Sequence, residues 1–479
     1  MSTRTVGQLV CRGSKASDEQ EGHGKGSPVY VTRLRFDGVR GFHGPRACDL
    51  DFTRPDGGFA GWTVLAGRNG SGKTTFLRAI GLALAGPYRA SQLDDEIEDH
   101  LSYGQTRGYV ELALQADAEF DLGALSTTSQ VTVAVTWKPD REPLAPEDHP
   151  PTQVSFTAHT GSRFANLLWS PSPPTGWFHA AYGPFRRLSG TGLYERNPQN
   201  PDRAMALRTL FQEESALVES VDWLISIRMR QLEGEAGADQ LLESVLALIN
   251  DGLLPGDFRV ERVTSRGLWL QSIDDEGPVI ALRRMSDGLR TVTALVLDVI
   301  RQMHAAYGTL ELRRDGARPY LPYPGVVLID EVDAHLHVSW QQRIGEWLKT
   351  HFPNVQFIVT THSPYVCQAA DPGGLIRLPG PTEQVPPEVV DEKIYGRVVY
   401  GTGDDAVLSE FFGLERPFSR RAEKMREELA DLEYQVATRR ADEATLQRFR
   451  ELRRKLASSQ TTRLEEFDLD VRRRGAGGS

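Results

Sequence analysis

Apolar residues recur along this chain in two rhythms. Alternation of the strand type runs through Tyr30-Val-Thr-Arg-Leu-Arg-Phe-Asp37, with Leu34 and Phe36 on one face, and breaks at Gly38 and Gly41. The pattern predicts two strands forming an edge hairpin within residues 30–53. A second alternating run lies at 129–139, SQVTVAVTWKP. Three other runs are apolar without alternation, as in strands buried on both faces: Trp62 to Gly67, Val326 to Ile329, and Val355 to Val359. Helical spacing appears in Phe76, Leu77, Ile80 and Leu84, in Val218, Val221, Leu224 and Ile225, and in Leu241, Leu242, Val245 and Leu248. It returns in Val292, Leu295, Val296, Val299 and Ile300, and HVSWQQRIGEWLKTHF (337–352) reads as one helix-like segment. Past Pro417, Met425, Leu429, Leu432 and Val436 recur at intervals of four, three and four. Leu446, Phe449, Leu452 and Leu456 repeat the rhythm after a break near Ala441-Asp442, predicting two short amphipathic helices.

Strands alternating with helices predict an α/β fold with a mixed central sheet, an inserted helical lobe and a helical tail. The expected divisions are a disordered Gly/Ser-rich leader (1–27), an N-terminal lobe (28–120), an insertion and helical lobe (121–256), a C-terminal lobe (257–380) and a tail (381–479). The 479 residues hold 39% hydrophobic and 25% charged positions, ordinary for a globular chain. No apolar run is long enough for a bilayer, and the leader has no hydrophobic signal core, so the reading is cytoplasmic and without a membrane partner. The three cysteines, Cys11, Cys48 and Cys367, form no CxxC pair, and neither disulfides nor a Cys-based zinc site is expected. A net charge of −10 argues against a globally basic nucleic-acid binder but leaves nucleic-acid contact through a local patch open.

The chemistry begins at Gly67-Arg-Asn-Gly-Ser-Gly-Lys-Thr74, which fits GxxxxGK[ST] in full. Glycines at 67, 70 and 72 let the backbone curl so that several N–H groups face one anion. Lys73 is placed for the β- and γ-phosphates and the Thr74 hydroxyl for Mg²⁺. With Asn69, Ser71 and Thr75, these residues make the expected ATP site. A strand before and a helix after the loop supply the required context. Asp330 and Glu331 follow the buried run at 326–329, where ligands of open α/β sheets sit. Asp330 is thus a candidate Mg²⁺ ligand and Glu331 a candidate for polarising the attacking water. His362 ends the next apolar strand, within reach of a γ-phosphate or water. Ser286-Asp287-Gly288 precedes an amphipathic helix, reading either as a plain N-cap or as a second anion site. Arg186 and Arg187, in AAYGPFRRLSGTG (180–192), offer two guanidinium forks. They would reach ATP phosphates or a nucleic-acid backbone, or lie solvated on a turn.

The opening LRFDGVRGF, the loop GRNGSGKTT, the Ser-Asp-Gly turn and the order strand-DE, helix, strand-His together resemble the SMC/RecF-type ABC ATPases. The stretch Ile329-Asp330-Glu331, Asp333, His335-Leu336-His337, Trp340 and Gln341 is similar to the Walker B extension of their bacterial defence branch, often labelled AAA ATPase. The resemblance covers roughly residues 28–380. It implies that Ser286 to Gly288 of one subunit close over ATP held by another, giving a head-to-head dimer. It also implies that His335 and His337 belong to the loop facing the partner subunit rather than to a metal site. Members of this branch work in modules such as Septu and certain retrons beside a nuclease partner. Relatives of the overcoming-lysogenization-defect type carry a fused Toprim nuclease, which the residues after 380 are too few to supply, and no long coiled-coil arm is expected.

The expected function is therefore an Mg²⁺-dependent ATPase acting as sensor or motor of an anti-phage complex with a separate nuclease or effector. The alternatives are a DNA repair or maintenance ATPase of RecF/SMC type, an ABC transporter motor, and an ATP-binding regulator without useful turnover. The transporter reading lacks an LSGGQ signature and has a long Pro-rich insertion against it.

Overall fold

The computed structural model describes residues 30–115, 130–141, 150–160, 168–170, 175–186, 205–212, 217–254, 258–272, 278–403, 406, 411, 419–438 and 440–456. The expected leader, Arg187 and the final VRRRGAGGS lie outside them. The chain divides into two compact units at Tyr400/Gly401.

Two sheets organise the first unit. The six-stranded sheet runs in the order Glu388–Val389, Leu375–Arg377, Gly61–Ala66, Val355–Thr361, Gly325–Ile329, His179–Tyr182. All neighbours are parallel except the first pair, so the sheet is mixed. The three central strands are the unbroken apolar runs of the sequence, and nearly every residue in them is buried. The five-stranded sheet is antiparallel, in the order Cys48–Asp51, Tyr30–Asp37, Gly108–Gln115, Gln130–Pro139, Thr152–Thr160. The expected hairpin is its outer pair. The helix Lys73–Leu93 starts at the phosphate loop and presents Phe76, Leu77, Ile80 and Leu84 to one cluster. That cluster also takes Leu34, Phe36, Leu112 and Val133 from the antiparallel sheet and Leu328 and Ile358 from the mixed one. The helix kinks at Gly86-Pro87, and the indole Nε1 of Trp169 donates to the Ala83 carbonyl at 3.1 Å, the acceptor left over by the missing N–H of Pro87.

The expected insertion is not one body. Gln130–Pro139 and Thr152–Thr160 complete the antiparallel sheet, and His179–Tyr182 becomes an edge of the mixed sheet. Further on, Met205–Phe211 is helical, and Val218–Leu232 and Ala238–Asn250 pack beside a small sheet of Phe258–Thr264, Gly267–Ser272 and Ile280–Ala281. The strand Glu388–Val389 belongs to the mixed sheet, and the first compact unit runs on to Tyr400. The segment 337–352 is two helices, Val338–Gln341 and Ile344–His351.

The second unit contains a helical hairpin, Arg420–Ala437 and Glu443–Leu456, at the positions the apolar rhythm predicts. Ser419 and Asp442 cap the two N-termini, accepting from the amides of Ala422 and Thr445. Arg448 binds Glu428 through both arms of its guanidinium, at 2.7 and 3.0 Å. This pair is exposed, so its contribution is small.

One side chain joins the two sheets by hydrogen bonding. The buried Gln356 amide accepts from the Val31 N–H and donates to the Val31 carbonyl, both at 2.9 Å. The side chain acts as one rung of a ladder where the strand at 30–37 has its register shift between Val31 and Arg33. Replacing it orphans two buried backbone groups. Gln356→Met should lower the stability of the first unit by about 2 to 4 kcal/mol, read as a reduced denaturant midpoint. An unchanged midpoint would show that the sheets meet through apolar contact alone.

Candidate nucleotide site

Three parallel strands deliver the site. The loop 67–72 leaves the strand Gly61–Ala66, the Asp330-Glu331 pair leaves Gly325–Ile329, and His362 leaves Val355–Thr361, all at carboxyl ends. Gly72 has φ +90°, and a Cβ there would meet the Phe42 ring at 2.4 Å, so the loop can curl only with glycine at that position. Phe42, in the break of the outer hairpin, forms the floor of the loop, a role its sequence context did not reveal. The segment 378–381 closes the other side, with its carbonyls held by Arg46, which donates to Pro379 and Gly380 and, at 3.0 Å, to Glu383.

Lys73 is buried at the first position of its helix, and its ammonium donates to the Gly67 and Arg68 carbonyls at 3.1 and 3.3 Å. Burial pulls its pKa down, opposed by the charges of Asp330, Glu331 and Asp333. Ser71 Oγ is buried without a hydrogen-bond partner, and Arg68, Asn69 and Gly70 are exposed at the tip of the loop. Thr74 donates to Asp330 Oδ2 at 2.7 Å. Thr75 lies next to it on the first helical turn, half-buried.

Asp330 is 1% exposed, and its second oxygen accepts from the Thr360 hydroxyl. The same hydroxyl accepts from the Glu331 N–H at 2.7 Å. The turn is fixed from both neighbouring strands, since the Asp330 N–H donates to Tyr182 O at 2.7 Å and the Val332 N–H to Thr360 O at 3.0 Å. Asp333 accepts from the Thr361 hydroxyl and, at 3.4 Å, from the His362 amide. The His362 side chain is exposed. Its surroundings push its pKa down, first by partial burial, then by the charge of Lys73, against Asp333, Glu331 and Asp330.

Arg186 does not face solvent. It is 2% exposed, and its guanidinium is spent on backbone carbonyls around the Asp330-Glu331 turn. The sequence could not distinguish a solvated fork from this arrangement, because the short strand His179–Tyr182 that delivers Arg186 sits among Pro- and Gly-rich segments.

Ser286 occupies the N-cap position of the helix Asp287–Tyr307 in extended conformation, with no bond from its hydroxyl to the first turn. Ser286 and Asp287 are exposed, and Asp287 pairs with Arg290. Gly288 lies against the loop after the acidic pair, where a Cβ would come within 2.5 Å of the His335 carbonyl. The far side of this helix is anchored by a buried relay. Tyr182 donates to Asp298 at 2.9 Å, Arg301 Nε donates to the other Asp298 oxygen at 2.8 Å, and Arg301 reaches Glu219 at 3.3 Å. The Ser-Asp-Gly turn is thus tied to the mixed sheet through the helix it opens. His337 accepts from the Ser339 amide, and no cluster of metal-ligating side chains occurs among the described residues.

The donor set fits a magnesium nucleotide. A hydroxyl and a carboxylate stand together as hard oxygen ligands, with a buried ammonium, an orphaned buried hydroxyl and curled glycines beside them. Fold and site together fit a P-loop ATPase, with the phosphate loop and the acidic pair on one parallel sheet. Comparison with known proteins agrees. The model "AAA domain, putative AbiEii toxin, Type IV TA system" matches residues 207–368, and "AAA domain" matches 33–142. The chain is similar to the "Retron Ec83 probable ATPase" of Escherichia coli, 43% identical over 21% of this chain and 17% of that protein. It is also similar to the "Septu protein PtuA" of Bacillus mycoides, 24% identical over 68% of this chain and 37% of that protein. The chain thus spans less than half of the length of these curated relatives. Among solved structures, the "SMC head domain from Thermotoga maritima" aligns with a TM-score of 0.40 at 16% identity, over 76% of this chain and 99% of that one. The matched AAA domains and the relatives named as a retron probable ATPase and a Septu protein agree with the AAA-type defence branch read from the motifs. No described helix is long and apolar enough to cross a membrane.

Because its charged form is disfavoured, His362 should titrate below the ordinary value of 6.5 and be neutral at physiological pH. Its contribution to folding stability is then lost only as pH falls below about 6.5. Ring-carbon NMR of labelled protein reads this directly, and Lys73→Met should move the value upward. A wild-type midpoint above 6.5 would overturn the assignment.

Proposed function

We propose that this chain binds ATP with Mg²⁺ and hydrolyses it, working as the ATPase subunit of an anti-phage defence complex. The observation that carries the reading is the junction at Asp330. It brings the Thr74 hydroxyl of the phosphate loop within 2.7 Å of a buried carboxylate whose neighbour, Glu331, is held at the mouth of the same site.

The loop amides between Gly67 and Thr75 and the Lys73 ammonium would bind the phosphates. Lys73 exchanges its two carbonyl partners for phosphate oxygens at little cost, because it is already buried and partly desolvated. Thr74 and Asp330 would hold Mg²⁺, which supplies positive charge against the phosphates. Glu331 would orient a water and take its proton as that oxygen bonds to the γ-phosphorus and the bond to the ADP oxygen breaks. Neutral His362 would donate or accept one hydrogen bond at the γ-phosphate end.

Two further parts of the reading rest on resemblance and relatives. A head-to-head dimer, in which the Ser286 to Gly288 turn of each copy covers the ATP of the other, follows from the resemblance, and the exposure of Ser286 and Asp287 leaves the turn open to such a contact. The retron and Septu names of the relatives support a separate nuclease or effector as partner. The half-buried stripe of the tail hairpin offers such a partner an apolar face.

Glu331→Gln should lower steady-state ATP hydrolysis by about 10²-fold or more while leaving Mg·ATP affinity within a few-fold. Light scattering should then find an ATP-dependent dimer that persists in the variant. Turnover equal to wild type would remove Glu331 from its role, and a monomer at saturating ATP would remove the dimer.

A further inference from the structure

The backbone at Glu331 is left-handed, with φ +45°, a region that a residue with a long side chain enters only when its surroundings force it. The force is on hand. Arg186 Nη1 donates to the carbonyls of Gly183 at 3.0 Å and Asp330 at 2.7 Å. Its Nη2 donates to those of Glu331 at 2.9 Å and Val332 at 3.4 Å. Three consecutive carbonyls converging on one planar cation cannot be satisfied by an extended or helical chain. The guanidinium has the fork geometry for this and a lysine ammonium does not. No carboxylate oxygen lies among these four acceptors, so this buried cation is committed to backbone shape.

We propose that Arg186 is the positioning residue of the site: it folds the backbone at 330–332 so that the Glu331 side chain is presented to the water, without itself touching nucleotide. The proposal rests on the function proposed above and adds to it the group that sets the geometry of its base. Thr360 assists through its bond to the Glu331 amide. Burial lowers the Arg186 pKa to about 10, against the attraction of Asp330, Asp333 and Glu331, so the clamp stays charged at neutral pH.

Arg186→Lys keeps the charge and loses the fork. In the full chain it should reduce kcat by about 10²-fold, as for a reacting group moved by about 1 Å. Binding of Mg·ATP, followed with a fluorescent nucleotide, should change less than three-fold. In the Glu331→Gln background the same substitution should produce no further loss of turnover, because the group it positions is gone. A purely structural arginine predicts the opposite: additive losses and weakened binding. If Glu331→Gln is inactive while Arg186→Lys turns over like wild type, the positioning role is overturned and the ATPase reading stands. If Glu331→Gln itself turns over like wild type, both are overturned. Should Arg186→Lys not fold, Thr360→Val against Thr360→Ser makes the same comparison. Loss of kcat with binding retained in the valine variant alone supports the role, and equal kcat in both overturns it.

Discussion

A single buried carboxylate closes this fold. Asp330 is reached by the Thr74 hydroxyl from one side and the Thr360 hydroxyl from the other, and its own backbone is pinned to Tyr182. A charge taken out of water at this depth is tolerable only if every lone pair has a partner. The partners come from the phosphate-loop helix, the next strand and the edge strand, which are far apart in sequence. The requirement that Asp330 be satisfied therefore forces these segments into one place, and that place is the site. The rest of the first unit keeps those strands in register.

The site was legible where chemistry fixes spacing within a few residues. The loop at 67–74, the acidic pair and the histidine one strand later each follow from residues adjacent in sequence, and the parallel sheet brings them together. The apolar runs behind them were equally clear, because strands buried on both faces need no alternation. The tail hairpin was readable from its rhythm for the same local reason.

What could not be read depends on contacts between segments distant in sequence. Gln356 sits inside an apolar strand, and nothing nearby announces that its amide completes a backbone ladder more than three hundred positions away. His179–Tyr182 is four residues long, too short for a pattern, so the continuity of the mixed sheet through the expected insertion was hidden. Thr152–Thr160 follows directly on a Pro-rich stretch, which hides where the strand begins. Arg186 could be read as a fork for phosphates or nucleic acid or as a solvated turn residue, and neither reading contains a buried clamp on backbone carbonyls. Its true environment is created by a turn that the sequence places 144 positions later.

The Gln356 bond to Val31 has a mechanical side. The same strand that grips the antiparallel sheet at Gln356 ends at Thr361, immediately before His362, and a strand advances about 3.3 Å per residue with little axial give. A load on the outer sheet is thus handed to a stiff rod about 20 Å long whose other end stands beside Asp333 and the acidic pair. The antiparallel sheet at Cys48–Asp51 and Tyr30–Asp37 and the backbone that carries His362 are thus joined through one strand.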